Sequence, residues 1–123
     1  VAAMPTDPAF DWSQAASLLG DDPQQVDSEM GAIVLELIAT SEIRLQELKA
    51  LDPADPKPIS ALAHQLRGSL LNFGYTEVGR ILQKIESKDY QPAEFVSVAE
   101  EAISVFHASN KLMADRYPSL GIA

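Results

Sequence analysis

Apolar residues recur along this chain at helical spacing, and alternating, strand-like runs are nearly absent. Ile59, Leu62, Leu66, Leu70 and Phe73 are spaced 3, 4, 4 and 3, which marks one face of a helix over about Ile59 to Phe73. Val78, Ile81, Leu82 and Ile85 mark another face, over about Thr76 to Ser87. Phe95, Val98, Ala102, Val105, Ser109 and Leu112 give the inner face of a long helix that runs to about Arg116. Val26, Met30, Ile33, Leu37, Leu45 and Leu48 do the same for an earlier long helix that ends near Leu51. A short helix over about Trp12 to Leu19 precedes these.

The residues between the stripes carry helix start and stop signals. Asp11 with Gln14 has capping-box spacing, and Gly20 reads as a stop. Asp22, Pro23 and Gln25 read as the cap, first and third positions of the second helix. Asp52 to Pro58 holds three prolines and reads as a rigid connector. Gly74 breaks the third helix, Gln91-Pro92-Ala93-Glu94 repeats the cap grammar, and Tyr117-Pro118 ends the last helix. Long amphipathic helices with short connections predict an all-α chain, an antiparallel four-helix bundle with the extra N-terminal helix as a lid on one end. The expected organisation is a flexible arm over residues 1–9, the bundle over 10–117 and a C-terminal tail over 118–123. Phe10 and Trp12 are expected to plug the bundle end.

Composition narrows the function classes. The chain's 123 residues suit one domain, and 46% hydrophobic residues suffice for a core. A net charge of −9 argues against a general nucleic-acid binder. With no cysteine there are no disulfides and no thiolate metal sites. No apolar run approaches the roughly 20 residues of a membrane span. No signal-peptide layout opens the chain, so a cytoplasmic location is the expectation. Nor do the acidic residues group on one helix face as metal ligands would, so no metal and no cofactor is expected.

The candidate chemistry lies on the third helix. His64 falls roughly 160° from the centre of that helix's apolar face, so its ring points to water or to a partner. Gly68 lies one turn on beside it, and Arg67 lies on the flank of the same side. A glycine inside a helix costs about 1 kcal/mol relative to alanine, and an exposed position has no packing need for a small residue. Its use is clearance, so that another molecule can approach the ring. Arg67 adds a fixed cation whose fork of donors suits phosphate oxygens. Neutral imidazole is a good nucleophile near pH 7. Ser60, Ala61 and Leu71 share the His64 face and are candidates for a docking surface, while Ser69 lies nearer the core. His64 is about 10 residues before the Gly74 turn, which puts its partner level near residues 83 to 86 of the next helix. Gln83 or Glu86 is the candidate to orient the ring. His107 also points outward, but Asn110 and Lys111 stand one turn on, so no space is cleared there.

Ala63-His64-Gln65-Leu66-Arg67-Gly68-Ser69, followed by Leu70, Leu71, Asn72, Phe73 and Gly74, resembles the signature of histidine-containing phosphotransfer (HPt) domains. The family pattern is roughly Ala-His-x-Leu-Lys/Arg-Gly-Ser with an apolar stretch ending in Gly, and the helical organisation from Phe10 to Tyr117 fits as well. This chain has Arg67 where Lys is commoner, and Leu70 where a second small residue is common. The resemblance implies the four-helix architecture and attack by Nε2 of His64. It also implies a phosphorelay role: His64 takes a phosphoryl group from a receiver-domain aspartyl phosphate and passes it to another receiver aspartate. The implied partners are response-regulator receiver domains, which carry the Mg²⁺, with a hybrid sensor kinase as a further candidate. The chain has no nucleotide-binding loop, so it reads as a phosphotransfer protein rather than a kinase, and as a monomer. The rival expectations are a non-phosphorylated pseudo-HPt adaptor and a helical-bundle binding module.

Overall fold

The computed structural model describes residues 10–20 and 22–122; the arm expected over residues 1–9 lies outside them. The regular elements are α1 (Trp12–Leu19), α2 (Ser28–Lys49), α3 (Pro56–Leu71), α4 (Thr76–Glu86) and α5 (Phe95–Arg116), with 3₁₀ turns at Pro92–Glu94 and Pro118–Leu120. The long helices pack in a closed ring, α2 on α3, α3 on α4, α4 on α5 and α5 back on α2. Connections this short force antiparallel neighbours, so the predicted four-helix bundle forms.

α1 covers the α3–α4 turn, as its place as a lid requires. Asp11 caps it by accepting from the N–H groups of Ser13 and Gln14. The Asp11 N–H donates to the Gly74 carbonyl at 2.8 Å, and the Gln14 amide to the Asn72 carbonyl at 2.9 Å. Phe10 stacks on Trp12 and meets Tyr75 at 5.1 Å between ring centroids. Gly74 has φ 97°, and a Cβ there would lie 2.5 Å from the Asp11 carbonyl oxygen. No other residue fits that turn without moving α1.

Three helix starts differ from the sequence reading. α2 is capped by Asp27, whose side chain accepts from the Glu29 N–H, and not by Asp22. Asp22 closes a turn instead: its side chain accepts from the Gln24 N–H and its carbonyl from the Gln25 N–H. Asp and Pro in sequence suit both a cap and a turn, and here the turn takes them. α3 begins at Pro56, inside the expected connector, because Pro56 and Pro58 occupy a first turn whose N–H groups have no helical partner. The Gln91–Glu94 capping box forms as expected, but it opens a 3₁₀ turn that leads into α5.

The core also shifts the phase of two helices. On α2 the buried positions are Gly31, Val34, Ser41, Leu45 and Leu48, and Ile33 is 48% exposed. Gly31 and Ser41 stand on the core face and disguise it, so the expected stripe holds at Leu45 and Leu48, lies at the edge of the core at Met30 and Leu37, and is off by one position, about 100°, at Ile33. On α5 Ile103, Phe106 and Met113 are buried, while Val105 and Leu112 are half-buried at the edge. α5 faces both α2 and α4, which requires a broader apolar band than one stripe. In the C-terminal segment the 3₁₀ turn carries Leu120 back into the core.

Candidate functional site

α3 and α4 form the hairpin that builds the site. Its short turn pins their register, so the level of His64 on α3 meets Glu86, the last residue of α4. Gly79 is buried one helical stretch earlier on α4, and a Cβ there would lie 2.6 Å from Leu71 Cδ2. The glycine lets Leu71 lie down against α4 and brings the two helices close. Leu71 stays on the rim of the His64 face, 36% exposed.

His64 stands out from α3 with two thirds of its side chain open, at 67% exposure. Its Nδ1 lies 2.7 Å from Glu86 Oε1. A carboxylate only accepts, so Nδ1 carries the proton and Nε2 carries the lone pair. Nε2 is the nitrogen farther from the backbone, so the free lone pair is carried on the outer side of the exposed ring. Of the two ring-orienting candidates, Glu86 takes the contact. Gln83 is exposed and makes no hydrogen bond to the ring among the described residues.

Glu86 is held at three points. Oε1 accepts from His64, Oε2 accepts from Arg67 Nε and lies 2.9 Å from Arg67 Nη2, and its backbone carbonyl accepts from the Ser60 hydroxyl at 2.9 Å. That carbonyl is one of the orphan acceptors at a helix C-terminus, so Ser60 acts as a cap supplied from α3. A carboxylate at the negative end of a helix dipole is unfavourable by itself. Desolvation also works against its ionisation, yet the hydrogen bonds from Arg67 and His64 outweigh it and hold the carboxyl below the usual carboxylate range. The position of Glu86 therefore makes sense through its partners on α3, not through α4.

The other candidates divide accordingly. Gly68 and Ala61 are exposed, and a Cβ built at Gly68 meets nothing within 4 Å. The face beside the ring is open, with Leu71 at its edge. Ser60, grouped with that face in the sequence reading, is half-buried and turned toward α4 instead. Arg67 is committed to Glu86 on the neighbouring helix, with 27% of its side chain exposed. His107 keeps its expected outward position, but it is not unpaired: its Nε2 lies 2.8 Å from Glu42 Oε2. Sequence reasoning missed Glu42 and the buried Gly79. A polar residue facing across from a distant helix leaves no local signal, whereas Gly79 on an amphipathic helix is a detectable one. Among the described residues no group of three or more His, Asp or Glu side chains is placed to hold a metal ion.

An open face at Gly68, a histidine with its outer nitrogen free and an arginine on the same glutamate are the features a family comparison has to account for. The family model described as Hpt domain matches residues 32–110, which take in α3, α4 and all the residues of the cluster. The chain belongs to the Hpt domain family. Comparison with curated proteins and with solved structures gives no match. Hpt domains are phosphotransfer carriers in phosphorelays rather than kinases, and they generally partner with receiver domains. In this Hpt domain no helix is long and apolar enough to cross a membrane, among the described residues.

Proposed function

We propose that this Hpt domain is a phosphorelay intermediate whose His64 accepts a phosphoryl group from one receiver aspartyl phosphate and passes it to another receiver's aspartate. The observation that carries this reading is the hydrogen bond between Nδ1 and Glu86, which leaves Nε2 as the free, outward nitrogen. The Nε2 lone pair attacks phosphorus. A P–N bond forms as the acyl P–O bond breaks, and the receiver aspartate leaves as a carboxylate. The proton on Nδ1 stays in place throughout. Both ring nitrogens are then substituted, so the ring carries a formal positive charge that the Glu86 carboxylate offsets. Arg67, oriented through Nε and Nη2, offers its remaining N–H groups to the phosphoryl oxygens. Gly68 and Ala61 keep the approach clear, and Leu71 borders it as a receiver contact. The Mg²⁺ of the exchange belongs to the receiver's acidic pocket. Return of the phosphoryl group to a second receiver reverses the same steps.

The test is incubation with acetyl-phosphate-charged receiver domains from the source organism. The expected result is one acid-labile phosphate on His64. A folded chain that takes no label from any receiver would favour the adaptor reading and overturn this one.

A further inference from the structure

A groove of about 360 Å³ runs between α2 and α3, beside the His64 face. Leu37, Thr40 and Arg44 line it from α2, and Gln65, Leu66 and Ser69 from α3. Gln65 and Ser69 each follow directly on a residue of the open face, His64 and Gly68, so the groove and that face form one continuous surface. On α2 the stripe continues past Leu37 to Ile33, which is exposed among the described residues. Arg44 is the unexpected member. Glu47, one turn on, is available as an (i, i+3) partner, yet Arg44 makes no ion pair or hydrogen bond among the described residues and lines the groove instead. In a chain of net charge −9, an exposed, unpaired arginine on the wall of a groove beside the His64 face is placed to meet a partner's carboxylate.

We propose that Arg44 is a specificity determinant for the receiver: the groove takes an apolar side chain between Leu37 and Leu66, and Arg44 pairs with a receiver carboxylate beside it. The inference rests on the phosphotransfer reading and adds to it which receivers are accepted. The groove lies to one side of the reacting ring, so Arg44 acts on encounter and register and not on the P–N bond. Receivers with a carboxylate at that place are selected, and those with a cation there are rejected.

The experiment compares wild type, Arg44→Glu and Arg44→Lys with two phosphoryl donors. One is phosphoramidate, which needs no docking; the other is the set of acetyl-phosphate-charged receivers. The expected result is equal labelling of all three proteins by phosphoramidate. With receivers, kcat/KM falls about tenfold or more in Arg44→Glu, the loss shrinks as salt is raised, and Arg44→Lys keeps most of the rate. Receiver transfer to Arg44→Glu within about twofold of wild type overturns the specificity role. So does an equal fall with both donors, because that places the effect on the ring. Wild type labelled by phosphoramidate but by no receiver overturns the phosphorelay reading itself, which is a separate outcome.

Discussion

The two histidines of this chain pose a controlled comparison. Both stand on the outer face of a long helix, both rings are more than half exposed, and both meet a glutamate from a neighbouring helix, at 2.7 Å for His64 and 2.8 Å for His107. If His64 alone is the phosphoryl acceptor, as proposed, exposure and a carboxylate partner are not enough to make one. The differences lie in which nitrogen is held and what stands beside the ring. Glu86 holds Nδ1 of His64 and leaves the outer Nε2; Glu42 holds Nε2 of His107 and leaves Nδ1, the nitrogen crowded by its own backbone. His64 has open space over Gly68, where no side chain stands, whereas Asn110 and Lys111 stand one turn on from His107 and line a hollow with it. Asn110 is further tied down by the buried Tyr75 hydroxyl, which donates to its Oδ1.

The sharpest way to break the comparison is to remove each ring. His64→Gln is expected to abolish phosphoryl acceptance with the fold intact, since an exposed side chain contributes little packing. His107→Gln is expected to accept at the wild-type rate. Receiver-dependent labelling with circular dichroism on both variants checks this, and label retained by a folded His64→Gln protein contradicts it. Next comes the charge beside the ring. Arg67→Ala is expected to slow transfer in both directions by about 10- to 100-fold, with Arg67→Lys keeping much of the rate, in stopped or single-turnover assays.

The glutamate is expected to matter less than the cation. Glu86→Ala frees the ring to adopt either tautomer and is expected to cost about tenfold, with Glu86→Gln, which still accepts from Nδ1, costing less. The same contact has a pH signature. The folded carboxyl lies below its ordinary range, so its contribution to stability is complete above that range and is lost as pH falls through the depressed value. A carboxyl-carbon titration of Glu86 by NMR checks the direction, and a midpoint above the ordinary carboxylate value contradicts it. The smallest effect concerns Gly68. Gly68→Ala is expected to raise stability by up to about 1 kcal/mol, because alanine is the better helix former and the site has room. Gly68→Gln should fold equally well and transfer slowly. A folded, fully active Gly68→Gln would show that the clearance has no role.

How much of this was legible in the sequence depends on what lay between the residues concerned. The α3 stripe was readable because each core-facing position from Ile59 to Leu70 is apolar or small. Glu86 could be placed opposite His64, as one of two candidates, because only the Gly74 turn separates the two helices and fixes their register. The choice between Glu86 and Gln83 needed side-chain direction, which spacing alone leaves open. The first half of α2 was misphased, though not Leu45 and Leu48, because Gly31 and Ser41 occupy core positions that read as non-core. Asp22 looked like a cap because caps and Asx turns use the same side chain for the same hydrogen bond. The His107–Glu42 pair was out of reach because α2 and α5 are joined through two intervening helices, so no turn sets their levels.

The central claim is that Glu86 selects the reacting atom, making Nε2 of His64 the phosphoryl acceptor. Long-range nitrogen–proton and phosphorus NMR on the uniformly ¹⁵N-labelled, phosphorylated chain tests it most directly. The account predicts phosphorus coupled to Nε2 of His64, with Nδ1 still protonated and bonded to Glu86. Phosphorus on Nδ1 of His64, or on either nitrogen of His107, would contradict it.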